Sequence, residues 1–261
     1  MKIVVMGGNG LIGQNIVSRL RLIGHETVAA SRSTGVDVFT GQGLAEALAG
    51  AQVVVDVMNA PSFEDRAVMA FFDNCGRNLL AAETAAGVEH HLALSVVGTD
   101  RLGHSAYMQA KAAQERLIKA SKIPFTLLRA TQFFEFIEAI IDSSVVDGTI
   151  RLSPALIQAV AADDVAAVLA DLAVGVAMND VVEVAGPDRF PLDEVARKFL
   201  VSRNDRRPVI ADVHARYFGS ELDDRSLVAA EGSRIGPTRF HNWLIRCPAA
   251  TPPVIFDGTL Q

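Results

Sequence analysis

A phenol and an ammonium group stand four residues apart in the segment YMQAK, as Tyr107 and Lys111. Side chains at this spacing lie on the same face of an α-helix. The ammonium can lower the pKa of the phenol, which can then donate or accept a proton while a hydride moves to or from a carbonyl carbon. The pair therefore predicts acid–base catalysis beside a nicotinamide cofactor, although an ordinary helix surface can show the same spacing.

The glycines near the N terminus predict where such a cofactor binds. Gly7, Gly10 and Gly13 occupy the first, fourth and seventh places of GGNGLIG, directly after an apolar run at residues 3–6. The first glycine permits a sharp strand-to-helix turn, the second lets a pyrophosphate approach the backbone, and the third lets the helix pack closely on the strand. Free amides at the helix N terminus then face the phosphates. The predicted phosphate-binding residues are Gly7, Gly8, Asn9, Gly10, Leu11, Ile12 and Gly13.

The end of the second predicted strand favours NADP(H) over NAD(H). A site for NAD has an acidic residue there to bind the ribose hydroxyls, whereas this chain has SRS at residues 31–33. The Arg32 guanidinium suits a 2′-phosphate, and the hydroxyls of Ser31 or Ser33 can add hydrogen bonds. A solvated loop arginine is the alternative interpretation. The residues predicted to flank the adenine or to lie beside the same ligand are Asp37, Val38, Asn59, Ala60 and Pro61.

Apolar runs alternate with helical patterns over the first two-thirds of the chain, as they do in βαβ units. The predicted strands are residues 3–6, 27–30, 36–39, 53–57, 91–96 and 125–128. The predicted helices are residues 11–23, 44–48, 64–86 and 105–120. No crossover helix fits between the second and third strands. The pattern predicts an α/β fold with a doubly wound parallel sheet, the Rossmann fold.

The alternation of strand-like apolar runs and helical patterns becomes less regular after residue 129, which indicates a smaller C-terminal lobe. We predict helices at residues 133–141 and 192–200, a strand at 181–184, and a helix that begins at Asp164 with Asp163 as its cap. A proline-rich tail at 248–253 is predicted not to be helical. We expect one NAD(P)-binding unit over residues 1–261, with its core at about 1–150 and a substrate-binding lobe at about 151–261.

Seven aromatic residues are candidates for the walls of a cleft, and their placement as a group favours an aromatic or otherwise apolar substrate. For each of them singly, packing in a core is the alternative. They are Phe133, Phe134, Phe136, Tyr217, Phe218, Phe240 and Trp243.

Composition excludes several other classes of protein. A net charge of −6 and no basic patch argue against binding to nucleic acid. The two cysteines, Cys75 and Cys247, make neither a disulfide framework nor a metal site and fit a reducing cytosol. No cluster has metal-ligand spacing, and His90 and His91 are interpreted as solvated residues at a strand edge. No segment fits a signal peptide or a membrane span, so a soluble, cytoplasmic protein with a small-molecule substrate is expected.

The motifs together resemble the short-chain dehydrogenase/reductase superfamily and, within it, the atypical NmrA-like NAD(P)H-binding branch. The resemblance covers most of the chain and is carried by GGNGLIG, SRS, HLALSVVGTD, YMQAKAAQERLIKASKIPFTLLRATQFFEF and QAVAADDVAAVL. It implies that Ser95, twelve residues before Tyr107, polarises a carbonyl oxygen or instead lines the nicotinamide. Thr131, Gln132 and Phe133 replace the family's usual Pro-Gly, which alters the contact with the carboxamide. The residues expected around the nicotinamide end are Ser95, Val96, Lys111, Thr131, Gln132 and Phe133.

These observations predict an NADP(H)-dependent oxidoreductase of the short-chain dehydrogenase/reductase type. Its substrate would be a small, apolar molecule whose carbonyl, quinone or activated double bond is reduced. A non-enzymatic NADP(H)-binding redox sensor is the alternative, and an isomerase or dehydratase that uses the nucleotide transiently is a third possibility. The Tyr107–Lys111 pair favours the enzyme, because a sensor has no need of it.

Overall fold

Seven parallel strands form the central sheet in this computed structural model, which describes residues 1–62 and 64–247. The strands within that part of the chain are β1 (Lys2–Met6), β2 (Glu26–Ala30), β3 (Val53–Asp56), β4 (His90–Val96), β5 (Phe125–Ala130), β6 (Val145–Val146), β7 (Thr149–Leu152), β8 (Leu156–Ile157), β9 (Asp180–Ala185), β10 (Phe190–Pro191), β11 (Val209–Ala211) and β12 (Arg234–Ile235). The order in the central sheet is β2-β1-β3-β4-β5-β9-β12. This is the predicted doubly wound Rossmann architecture.

Helices cover both faces of the sheet. They are α1 (Leu11–Leu22), α2 (Leu44–Leu48), α3 (Asp65–Ala86), α4 (Ala106–Ala120), α5 (Ile137–Asp142), α6 (Ala162–Ala173), α7 (Leu192–Ser202) and α8 (Phe240–Arg246). Alternate residues of a strand point to opposite faces, so Val5 packs with α1 and α6, while Val4 packs on the side of α2 and α3. Burial on both faces explains why the strands are continuous apolar runs. None of the described helices is both long and apolar enough to cross a membrane.

The strand predicted at residues 36–39 is wrong. This segment lies outside the central sheet and makes only an isolated antiparallel bridge between Asp37 and Gln42. Gly35, Gly41 and Gly43 around it all have positive φ, a conformation that curls the chain instead of extending it. The sheet therefore passes from β2 to β1 to β3 without a further strand.

Two other predictions need correction. α6 begins at Ala162 with Ala161 as its N-cap, so Asp163 is not a cap and lies with Asp164 in the first turn, where acidic groups favour the helix dipole. His90 and His91 are not solvated edge residues but the first, buried residues of β4. The His91 Nδ1 lies 2.9 Å from the Glu83 carboxylate on α3, which holds the pKa of His91 above its usual value against the effect of burial.

Residues after 150 contribute to both parts of the protein. β9, β12 and α6 belong to the sheet core, whereas α7 and α8, together with the preceding α5 and β7, surround a second apolar cluster that we call the lobe core. The predicted helix at 133–141 is present as a 3₁₀ turn at Phe134–Phe136 that continues into α5. The proline-rich tail at 248–253 lies outside the described residues.

Candidate functional site

A cleft of about 920 Å³ runs along the carboxyl ends of β1 to β5. The glycine turn, the residues that follow β2, and the start of α4 line one part of it. The lobe supplies the opposite wall from the segment after β5, from α5 and from a turn at residues 217–218. In an open parallel sheet, this edge is where ligands bind.

The glycine turn is as closely packed as a phosphate-binding turn requires. A Cβ on Gly13 would lie 2.2 Å from the Gly7 carbonyl oxygen, and one on Gly8 would lie 2.6 Å from Ala29 Cα, so α1 can approach β1 and β2 only with glycine at both places. A Cβ on Gly10 would meet only the Gly7 oxygen, at 3.3 Å. Among the described residues no side chain caps α1, whose first amides have no acceptor within the helix. This cradle fits the pyrophosphate of a dinucleotide.

A cluster of polar groups joins this turn to the end of β2. The Asn9 side-chain amide donates hydrogen bonds to the hydroxyls of Ser31 and Ser33, both at 2.8 Å. The 3₁₀ turn at Arg32–Thr34 places the exposed guanidinium of Arg32 on the cleft wall. A cation beside several hydroxyls is the chemistry that a phosphate group requires.

The predicted cofactor-binding residues divide into those that line the cleft and those that do not. The cleft wall includes Gly7, Gly10, Leu11, Ile12, Gly13, Ser31, Arg32, Asp37, Val38, Asn59, Ser95, Val96, Lys111, Thr131, Gln132 and Phe133. The predicted residues that do not line the cleft are Gly8, Asn9, Ser33, Ala60 and Pro61. Ala60, for example, packs with Val68 and Phe72 in a small apolar cluster.

Lys111 is buried beneath the cleft and is held by hydrogen bonds. Its Nζ donates to the Leu94 carbonyl oxygen at 2.8 Å and to the Gln114 side-chain oxygen, and it lies 4.6 Å from the centre of the Phe72 ring. An ammonium has three N–H donors, and hydrogen bonds to acceptors among the described residues use two of them. Burial lowers the pKa of Lys111 to about 8, while the charge of Asp56 acts in the opposite direction.

A buried chain of hydrogen bonds links Lys111 to the end of β3. Gln114 accepts from Lys111 through its oxygen and donates from Nε2 to the Asp56 carboxylate at 2.8 Å. Asp56 and Gln114 are not among the site residues predicted from the sequence. Their signals were nevertheless present, since Gln114 lies three residues after Lys111 on the same helical face and Asp56 ends a strand at the ligand-binding edge.

Tyr107 lies one helical turn before Lys111 and lines the same cleft. Its ring packs edge-on against Phe72, with 6.0 Å between ring centres and 76° between ring planes. The lowering of the phenol pKa expected from Lys111 is not observed, because burial raises the pKa of Tyr107 above its ordinary value. The hydroxyl therefore carries its proton at neutral pH. A protonated phenol at this place can donate that proton to a developing oxyanion.

Ser95 lines the cleft, but its hydroxyl is engaged elsewhere. The Oγ donates to the Glu115 carboxylate at 2.7 Å, and Arg129 holds the same carboxylate with two bonds of 2.9 and 2.8 Å. Although burial raises the pKa of Glu115, the bonds from Arg129 and Ser95 bring it below its usual value. In this arrangement the Ser95 proton points to Glu115 and not to a carbonyl oxygen in the cleft.

The segment after β5 brings one amide to the cleft. The Thr131 hydroxyl donates to the Gln158 carbonyl oxygen at 2.6 Å. The Gln132 side chain is buried and makes no hydrogen bond of normal geometry among the described residues. It lies near the Tyr217 hydroxyl. Burial raises the pKa of Tyr217, and the nearby Gln132 amide opposes part of that rise.

The predicted aromatic wall is only partly present. Phe133, Phe136, Tyr217 and Phe218 line the cleft. The other three aromatic residues pack against one another in the lobe core, where Phe134 lies 5.1 Å from the Phe240 ring and 5.5 Å from the Trp243 ring. For those three, the core-packing alternative is the right one.

Comparison with known proteins agrees with the geometry of this cleft. Residues 7–174 match the sequence model of a family described as NAD(P)H-binding. No curated protein matches the chain. Solved structures share its fold, among them dTDP-4-dehydrorhamnose reductase from Bacillus anthracis str. Ames in complex with NADP, at 13% identity and a TM-score of 0.68 over 94% of this chain and 96% of that chain.

Two further structures show the same architecture. A short-chain dehydrogenase/reductase superfamily protein from Agrobacterium tumefaciens with bound NAD is 16% identical, with a TM-score of 0.69 over 94% of this chain and 95% of that chain. UDP-glucose 4-epimerase from Thermus thermophilus in complex with NAD is 19% identical, with a TM-score of 0.65 over 87% of this chain and 92% of that chain. The shared architecture confirms the predicted Rossmann fold, and the family match confirms that the chain is NAD(P)H-binding in type.

Proposed function

Since this chain belongs to the NAD(P)H-binding family, we propose that it is an NADP(H)-dependent oxidoreductase of the short-chain dehydrogenase/reductase type. Its substrate is a small, apolar molecule with a carbonyl, quinone or activated double bond. When bound, the dinucleotide supplies the reducing equivalent. The observation that carries the proposal is that Tyr107 and the buried Lys111 line the same cleft as the glycine turn.

Each residue of the cleft then has a distinct part in the reaction. The amides at the start of α1 would hold the pyrophosphate, and Lys111 would donate a hydrogen bond to the nicotinamide ribose. Tyr107 donates its proton to the substrate oxygen as charge develops there. The Lys111 ammonium stabilises the phenolate that remains, because a nearby positive charge favours the ionised form. The apolar lobe wall excludes water from the reacting atoms.

The first experiment is to measure NADPH consumption with a panel of aldehydes, quinones and enones. Turnover of at least one class that depends on Tyr107 supports the enzyme. The bond between Ser95 and Glu115 is the observation that favours the second candidate, a sensor that binds NADP(H) without turnover. Tight NADPH binding with no consumption across the panel would select that second candidate.

Cofactor preference tests the cluster at the end of β2. We expect the protein to bind NADPH more tightly than NADH and the Arg32→Ala variant to lose about 10- to 100-fold of NADPH affinity, the usual size of a lost charge-assisted contact. NADH affinity should change little. Arg116→Ala, an exposed arginine on α4 away from the cleft, is the matched control. Equal affinity of the unmodified protein for both nucleotides would contradict the assignment.

The pH dependence of turnover tests the chain from Asp56 to Lys111. Lys111 carries its charge below a pKa of about 8 and loses it as the pH rises, so kcat/KM is expected to fall above pH 8. The Asp56 charge favours the ammonium form, so Asp56→Asn should move this alkaline limb to lower pH. Asp65→Asn removes the same charge from an exposed position at the cleft and should leave the limb in place, because water screens it. An unmoved limb in Asp56→Asn would show that another group sets the pH profile.

A further inference from the structure

A tight turn in the lobe holds a phenylalanine in an unfavourable backbone conformation. Tyr217 and Ser220 close the turn with two backbone hydrogen bonds of 2.8 and 3.0 Å. The two residues between them have positive φ, 44° for Phe218 and 86° for Gly219. A turn with positive φ at both central residues strongly prefers asparagine, aspartate or glycine there. Gly219 meets that preference and Phe218 does not.

Phe218 is an exception among the described residues. The three other non-glycine residues with positive φ in that part of the chain are Asp147, Asn179 and Asn204, which belong to the types that tolerate the left-handed region. A phenyl ring has no polar group with which to stabilise such a backbone locally. Strain of this kind persists where the surrounding structure imposes it, and it concentrates at sites of function.

The turn puts the strained residue at the cleft. Phe218 is 53% exposed and yet lines the cavity wall. Its ring packs edge-on against Tyr217, at 4.8 Å and 82°, and Tyr217 is anchored in the lobe core. Phe136 and Ile140 line the same cleft from the neighbouring segment. The turn therefore exposes the Phe218 ring to a ligand that enters the cleft, and the contact with Tyr217 holds that ring in place.

We propose that Phe218 is a specificity-determining residue that packs its ring against a planar, aromatic part of the substrate. The inference rests on the proposed function and narrows the substrate class to aryl or conjugated carbonyl compounds. Ala139 and Ile140 already supply apolar side chains to the cleft from an unstrained helical backbone. We therefore infer that the strained backbone at residue 218 is retained because an aromatic ring is needed there. Aromatic rings gain from edge-to-face or offset-stacked contacts beyond the area that they bury.

The strain is tested by melting temperature. Phe218→Asn places the preferred residue in the turn, whereas Phe218→Leu loses the same ring contact with Tyr217 but keeps a bulky side chain at positive φ. Because both variants lack the ring contact, the difference between their melting temperatures reports the backbone strain at residue 218. We expect the Asn variant to melt about 2–4 °C higher than the Leu variant. Equal melting temperatures would remove the strain from the argument and overturn the inference.

The specificity is tested by equilibrium binding, which does not require turnover. The probes are 1-tetralone and 1-decalone, ketones with the same carbon skeleton in which only the first has an aromatic ring. Calorimetry on the protein loaded with NADP⁺ should show tighter binding of 1-tetralone, and Phe218→Leu should reduce that preference by about 2- to 10-fold. Phe218→Tyr keeps an aromatic ring and should retain the preference.

The possible outcomes separate this inference from the proposed function. If the unmodified protein does not distinguish the two ketones, or if Phe218→Leu binds 1-tetralone as tightly as the unmodified protein, the inference is overturned. Turnover that depends on Tyr107 would survive either result. If 1-tetralone binds with the expected dependence on Phe218 but no carbonyl compound is reduced, the aromatic preference of the cleft stands as a binding property and the proposed function fails.

Discussion

Replacement of Tyr107 by phenylalanine is expected to lower kcat by about 10²–10⁴-fold and to leave NADPH affinity nearly unchanged. The variant keeps the edge contact with the Phe72 ring and removes only the hydroxyl. Burial raises the pKa of this phenol, so at neutral pH the group holds the proton that the reaction needs. A lost general acid usually costs this much in rate.

The matched control is Tyr217→Phe, which removes a second buried phenol from the same cleft. We expect its effect on kcat to be less than about tenfold, because Tyr217 lies on the lobe wall without a lysine one helical turn away. Steady-state kinetics with NADPH and a reactive carbonyl compound measures both variants, and fluorescence titration measures cofactor binding. Full activity in Tyr107→Phe would remove this residue from the mechanism.

A valine at Gly10 is expected to reduce NADPH affinity by more than about 100-fold in a protein that still folds. Gly10 has φ of −78° and ψ of 175°, which any residue can adopt, and a Cβ there has only the Gly7 oxygen near it, at 3.3 Å. The branched side chain would instead occupy the space in front of the α1 amides, where the pyrophosphate must lie.

Gly13→Ala is the informative contrast, since a Cβ there would lie 2.2 Å from the Gly7 oxygen and 2.7 Å from Gly8 Cα. Both contacts are with backbone atoms, so α1 must move away from the strand. We expect this variant to lose stability as well as binding. Circular dichroism and melting temperature separate the two cases. A folded Gly10→Val protein with unchanged NADPH affinity would show that the nucleotide binds elsewhere.

Most of the strands and helices of the fold could be predicted from local sequence patterns. The strands β1, β3, β4 and β5 and the helices between them were predictable because each has a short-range signal. For the strands this signal is a short continuous apolar run, and for the helices it is the 3.6-residue period of buried side chains. The glycine turn was predictable for the same reason, since its function depends on backbone shape over seven consecutive residues. The false strand at residues 36–39 shows the limit, because Val36 and Val38 alternate and are buried as in a strand while nearby glycines curl the backbone.

The partners of polar groups could not be predicted in this way. The types of Ser95, Glu115 and Arg129 are evident in the sequence, but their mutual bonds depend on how α4 packs across β4 and β5. The Asp56–Gln114–Lys111 chain joins residues up to 58 positions apart. Such contacts depend on the relative placement of whole elements, to an accuracy of about one ångström, which no local period encodes.

The same distinction applies to the aromatic residues and to the strained turn. Spacing indicated that seven aromatic side chains gather after β5 and in the lobe, yet three of them fill the lobe core and four line the cleft. The positive φ of Phe218 could not be predicted from the residue types either. The backbone hydrogen bonds between Tyr217 and Ser220 impose this conformation, which phenylalanine by itself disfavours. Local sequence preferences predict a conformation only where the rest of the fold agrees with them, and at this turn it does not.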